Sequence, residues 1–236
     1  MTSVGALIHQ HRDQQYVAVK IYTEHYTQLH GPLRDFPGII YETIALSYMG
    51  RSPPSQYCIK QLRPTIVVCA LDDSSRKHSV IITPVYGGDV RALLAARVAP
   101  GKAPPLPLAK RILLHLLRGL AHAHERGWVH SDLRLSNIYF TTPLSADEIK
   151  ETLAREPPSR HPPERSLGGI VRVVRCQPLP MITLDEAMQA TFVLGDFGSS
   201  TSLRRIWRTL LISTAGSRSF QRAYQPERLR STVSRS

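Results

Sequence analysis

One stretch constrains this chain more than any other. From about Leu108 to Arg126, apolar residues fall at Leu108, Ile112, Leu113, Leu116, Leu117 and Leu120, the spacing of one face of an α-helix. Gly127 stands where a left-handed C-terminal cap belongs. A proline-rich linker, Pro100 to Pro107, precedes the helix. The chain is thereby divided. The order of elements is strands with one helix ahead of the linker, then helices.

The segment before the linker reads as strands around one helix. Val17 to Tyr22 is apolar and β-branched and predicts a strand. Val4 to His9 is its expected hairpin partner, with Arg12, Asp13 and Gln14 near the turn. Gly38 to Met49 predicts a helix that contains Glu42. Ile66 to Leu71 and Ser79 to Thr83 predict two further strands, joined through the turn residues Asp72, Asp73, Ser74 and Ser75. Asp89, after Gly87 and Gly88, is placed to cap a short helix over Val90 to Ala96. Thr142 to Ala190 differs in kind. Its proline pairs and Gly168-Gly169, before the β-like run Ile170 to Val174, read as an insertion. The expected class is α+β, a β-rich lobe followed by an α-rich lobe, with boundaries at 1–86, 87–140, 141–191 and 192–236.

Composition narrows the classes. A chain of 236 residues, 42% hydrophobic and 20% charged, can bury a sizeable core and is globular rather than disordered. No run of about 18 apolar residues occurs, so no membrane span is expected. The N-terminal MTSVGALIHQHRDQQ lacks the pattern of a signal peptide. Cys58, Cys69 and Cys176 are far apart and form no C-x-x-C pair. That suits a reducing, intracellular location, cytoplasmic or nuclear. The net charge of +12 is uneven: from Ser199 onward, eight arginines stand against one acid, Glu227. Such a tail attracts phosphates, acidic proteins or nucleic acid. No aromatic residues interleave the arginines in a stacking pattern, so direct nucleic-acid binding is not expected and a solvated basic end is the simpler reading.

Three segments carry chemistry: Val17-Ala18-Val19-Lys20 on a strand, His130-Ser131-Asp132-Leu133-Arg134-Leu135-Ser136-Asn137 just after the long helix, and Gly195-Asp196-Phe197-Gly198 after the apolar run Phe192 to Leu194. Taken singly, each has a plain alternative. A strand lysine can face solvent, Asp and Asn form turns, and a mid-helix glutamate is often exposed. His122, His124 and His130 could suggest a metal site, but no fourth ligand is near.

Taken in order, the three segments resemble the V-A-I-K, H-R-D-L-x-x-x-N and D-F-G motifs of protein kinases. Glu42 resembles the helix glutamate of that family, Thr83-Pro84-Val85 its hinge, and Pro226-Glu227 the end of its activation segment. The narrower resemblance is to fungal SR-protein kinase-like serine/threonine kinases. It rests on Ser131 in place of arginine, on the insert with Pro158-Ser159-Arg160-His161-Pro162-Pro163, and on the hinge Pro84-Val85-Tyr86-Gly87-Gly88.

The resemblance implies a bilobal kinase-like fold using ATP and Mg²⁺. Lys20 would hold the α- and β-phosphates and Glu42 would orient Lys20. Asp196 and Asn137 would hold Mg²⁺, and Asp132 would accept the proton of a substrate hydroxyl. Thr83 and Val85 would line the nucleotide. Asp89 would either contact the ribose or only cap its helix. Arg134 takes the place of the family's lysine near the transferred phosphate, with the same charge and a different fork geometry. Ser131 cannot pair with an activation-loop phosphate as arginine does. No G-x-G-x-x-G precedes Lys20 and few residues follow Pro226-Glu227, so the expected α-rich lobe is incomplete. The implied partner is a protein substrate, Arg/Ser-rich if the narrower resemblance holds. The alternatives are a pseudokinase or kinase fragment acting as a binding module, a small-molecule phosphotransferase, and an arginine-rich nucleic-acid binder.

Overall fold

The computed structural model describes residues 3–10, 15–23, 27, 41–63, 66–69, 77–155, 162, 164–166, 169–171, 178–203 and 206. The turn at Arg12 to Gln14, residues 38–40, Ala70 to Ser75, Pro158 to His161, Pro163, Val173 and Val174, and Pro226-Glu227 with most of the basic tail lie outside the described residues.

The first half is an antiparallel sheet backed by a helix. Strands β1 (Ser3–Gln10), β2 (Gln15–Tyr22), β3 (Ile66–Cys69) and β4 (Lys77–Pro84) pair in the order β1-β2-β4-β3. Because strand side chains alternate faces, β2 sorts its residues into two sets. Val17 and Val19 pack with Val80 on one face, with Ile21 and Ile82 beside them. Lys20 lies opposite Ile81 in the register, on the other face. Tyr22 is there too, packed with Ile81 and with Ala45, Leu46 and Met49 of α1 (Tyr41–Met49).

Strand β4 passes through Val85 into β5 (Tyr86–Asp89), and Asp89 then caps α2 (Val90–Arg97). Its carboxylate accepts the Ala92 N–H at 2.9 Å, as its type and place predict. Helix α3 runs from Leu106 to Glu125. It starts two residues before the expected Leu108 and includes Pro107. A first-turn proline costs nothing there, because that N–H would have no partner in the helix. Gly127 closes the helix at φ +74°, and its N–H bonds to His124 at 2.8 Å.

The apolar face of α3 is narrower than the sequence suggests. Leu108, Ile112, His115, Gly119, His122 and Ala123 are buried. Leu113 and Leu117, expected on the core face, are 57% and 62% exposed. Helical spacing marks a candidate stripe, but burial depends on which side finds a neighbour. At Gly119 the approach is tight: a Cβ there would sit 2.6 Å from the Tyr57 carbonyl.

After α3 come β6 (Trp128–Val129), a 3₁₀ turn at Leu135–Asn137 and β7 (Ile138–Thr141). Strand β7 is the centre of a three-stranded sheet with β5 and β10 (Phe192–Leu194). The stretch read as an insertion contains α4 (Ala146–Arg155), the hairpin β8 (Glu164–Ser166) and β9 (Gly169–Val171), and α5 (Leu184–Gln189). Ala187 and Ala190 join the core formed by Val90, Leu93, Leu108, Ile138, Phe140 and Phe192, so this end of the stretch is packed inward. The last described strand, β11 (Thr201–Ser202), pairs with β6. The architecture is mixed α+β. No helix among the described residues is long and apolar enough to cross a membrane.

Candidate functional site

The fold brings Lys20, Glu42 and Asp196 together from three elements. Lys20 Nζ lies 2.7 Å from Glu42 Oε2 and 3.3 Å from Asp196 Oδ1. Glu42 stands in the first turn of α1 and is buried. Lys20 and Asp196 are each about one-third exposed. Burial by itself would lower the Lys20 pKa. The charges of Glu42 and Asp196 and their hydrogen bonds outweigh it and raise the ammonium above its ordinary value. The cation is thus held between two carboxylates with one side open to solvent. Such a group can take an anion without being drawn wholly out of water.

The second group is local. Asn137 Nδ2 donates to the Asp132 backbone carbonyl and to Asp132 Oδ2, each at 3.0 Å. This spends the amide nitrogen, and the amide oxygen of the buried Asn137 accepts from Arg134. Arg134 Nε lies 3.4 Å from both Asp132 Oδ2 and Asn137 Oδ1. Its side chain is 61% exposed, so this is a weak surface pairing.

Backbone and one histidine join the two groups. Gly195 N–H donates to the Asn137 carbonyl at 2.9 Å. His130 is buried, its Nε2 2.7 Å from the Gly195 carbonyl and its Nδ1 3.4 Å from the Asp132 N–H. A carbonyl can only accept and a backbone N–H can only donate. These partners suit the tautomer that donates from Nε2 and accepts at Nδ1. Its edge meets the Phe197 ring at 4.8 Å, and Phe197 is fully buried against Leu46, Met49 and Trp128. The loop holding Asp132 and the turn holding Asp196 are fixed through the same buried imidazole.

Both turns use left-handed backbone at a residue that is not glycine, Ser131 at φ +65° and Asp196 at φ +56°. Each costs of order 1–2 kcal/mol, less for aspartate. Strain of this kind persists where surrounding contacts over-determine it. Gly195 is required by space: a Cβ there would come within 2.4 Å of the Tyr139 ring.

Of the remaining predicted residues, Thr83 lies in β4, Val85 between β4 and β5, and Asp89 at the end of β5. Thr83 is buried and Val85 half-buried. Asp89 is engaged in capping α2. His122 bonds the Met49 carbonyl at 3.2 Å. Among the described residues, no group of three or more His, Cys, Asp or Glu could hold a metal ion. Asp196 and Asn137 do offer hard oxygen donors, the type that Mg²⁺ takes while keeping several waters.

Two tyrosines were missed from sequence. The Tyr22 hydroxyl donates to Glu42 Oε2, the oxygen that also takes Lys20. Tyr139 stacks on Tyr86, with ring centroids 5.8 Å apart. Burial pushes the Tyr86 and Tyr139 phenols up to about 12, and Tyr139 feels Asp196, Lys20 and Glu42 as well. Alternation on β2 gives the face of Tyr22, two residues beyond Lys20, but not its neighbour, and Asn137 lies in the 3₁₀ turn before β7, so no strand spacing points to Tyr139.

No family model matches the chain. One stretch of 64 residues is 41% identical to part of the serine/threonine-protein kinase LMTK3 of Mus musculus. The match takes in 25% of this chain and 4% of that relative's length. It supports a relation to kinases at the coarse level.

Proposed function

We propose that this chain has a bilobal, protein kinase-like arrangement and binds ATP with Mg²⁺, transferring the γ-phosphate to a serine or threonine hydroxyl of a protein. The observation that carries the reading is the meeting of Lys20, Glu42 and Asp196 beside Asp132 and Asn137. In kinases the lysine–glutamate ion pair and the metal-binding aspartate must both be in place. Phosphoryl transfer needs mainly positioning and charge neutralisation.

On this reading Lys20 binds phosphate oxygens and Glu42 keeps its ammonium in place. Asp196 and the Asn137 amide oxygen would hold Mg²⁺, which neutralises phosphate charge when bound. Asp132 accepts the proton of the attacking hydroxyl. Thr83 and Val85 line the base. Asp89 stays on its helix. The narrower resemblance to SR-protein kinase-like enzymes points to Arg/Ser-rich substrate segments.

A second reading is a pseudokinase-like or fragment binding module. The observation in its favour is that Asp132 Oδ2 is already shared by Asn137 and Arg134, which leaves one oxygen for a substrate. Calorimetry of Mg·ATP binding to wild type, Lys20→Ala and Asp196→Ala tests the nucleotide site. Saturable, Mg²⁺-dependent binding lost in both variants is expected. Absence of binding to a cooperatively folded wild type would overturn the first reading. Binding without transfer, indifferent to Asp132→Ala, would select the second.

A further inference from the structure

We propose that Tyr22 is the positioning residue for Glu42, its hydroxyl fixing the carboxylate oxygen to which Lys20 bonds. The proposal deepens the reading of Lys20 and Asp196 as a nucleotide site and rests on it for its significance.

Glu42 is 5% exposed and Tyr22 is 2% exposed. A buried carboxylate needs its lone pairs satisfied. Glu42 Oε2 takes two donors, the Lys20 ammonium and the Tyr22 hydroxyl. These donors differ in rigidity. Lys20 is a flexible side chain, one-third exposed and also drawn to Asp196. Tyr22 has two torsions, and its ring is locked among Ala45, Leu46, Met49 and Ile81. The Lys20 ammonium also lies 5.4 Å from the centre of the Tyr22 ring, within cation–π range. Tyr22 therefore holds Glu42 inward whether or not Lys20 is engaged elsewhere. When Lys20 turns to an anion, the carboxylate stays where the ammonium can return to it. Among the described residues, the charged or titratable groups around this oxygen are Lys20, Asp196 and Tyr22 itself, with Tyr139 feeling its charge.

The test uses the full chain, wild type and Tyr22→Phe, which keeps the ring and removes only the donor. Acylation of Lys20 by an amine-reactive ester at mildly alkaline pH is followed by peptide mass spectrometry, with exposed Lys110 as reference. Loss of one hydrogen bond to a charged group should speed Lys20 acylation about tenfold and leave Lys110 unchanged. In a Glu42→Gln background the same substitution should add nothing, because Tyr22 acts through the carboxylate. An unchanged Lys20 rate in Tyr22→Phe, or an equal effect in the Glu42→Gln background, overturns the proposal. Should Tyr22→Phe melt without cooperativity, adding Glu42→Leu decides the cause. Restored cooperativity means an unsatisfied carboxylate and supports the proposal, and continued loss means a packing defect and overturns it. Mg·ATP affinity, expected to fall about tenfold with the hydroxyl, is measured alongside. A Lys20 response in a chain that binds no Mg·ATP would uphold the role of Tyr22 and defeat the nucleotide reading.

Discussion

Lys20 and Asp196 are 176 residues apart in sequence, whereas Asp132 and Asn137 are five apart. The two halves of the candidate site are thus made by different means. The first exists only when β2, α1 and the turn after β10 are all in place, with Tyr22 and Phe197 packed beneath. The second is largely shaped by its own loop, with Asn137 bonding back to Asp132 and a 3₁₀ turn closing the distance. The half around Lys20 therefore depends on the core, while the half around Asp132 depends on local hydrogen bonds. His130 couples them, since it holds the Gly195 carbonyl with one nitrogen and the Asp132 amide with the other.

The largest expected effect tests the local half. On the proposed kinase reading, Asp132→Ala should lower phosphotransfer about 10²–10⁴-fold while leaving Mg·ATP affinity nearly unchanged. A matching loss of affinity would show that the two halves are not separable. Next comes the core beneath the long-range half. Phe197→Ala should cost about 3–5 kcal/mol in denaturant unfolding, because a fully buried ring is removed. Equal stability of variant and wild type would break the link between core and site.

A smaller effect concerns pH. His115 accepts the Phe192 N–H at 3.1 Å. Its pKa is lowered by burial and by Arg111 and Arg118. The neutral ring is therefore the stable form. Its contribution is complete above the ordinary value of 6.5 and is lost as pH falls through the lower, folded value. Melting temperature should drop on acidification, and His115→Gln should flatten that part of the profile. Lys20 has the opposite sense: the stability that its raised pKa contributes is complete below 10.5 and is lost as pH rises through the higher, folded value. The smallest effect is Arg134→Ala. As an exposed pair it should change stability by less than about 1 kcal/mol, and a larger loss in a thermal melt would move Arg134 into the structural framework.

Much of the candidate site was legible in sequence, because its residues stand in short motifs at fixed spacing. Lys20 was placed by its strand and Asp89 by its capping position. Asp132 with Asn137, and Asp196 before Phe197, were placed by their loops. Tyr22 and Tyr139 were not legible, because nothing local says which neighbour a strand residue will meet across the fold. Helices α4 and α5 were passed over although their starts are written plainly. Ser145 and Glu148, and Thr183 and Glu186, cap each other reciprocally, the S/T-x-x-E pattern. The proline pairs between the two helices point toward loop.

Features settled within a few residues are readable from the chain alone: strand alternation, the start of α2 at Asp89, the end of α3 at Gly127, and the turn that joins Asn137 to Asp132. Backbone conformation and near-neighbour hydrogen bonds fix these without distant help. Only the tertiary structure decided that Leu113 and Leu117 face outward while His115 and Gly119 face in. It alone brought Glu42, Tyr22 and Asp196 around one ammonium. Burial and long-range ion pairing depend on which surfaces meet, and a linear pattern carries the capacity for such meetings without naming the partner.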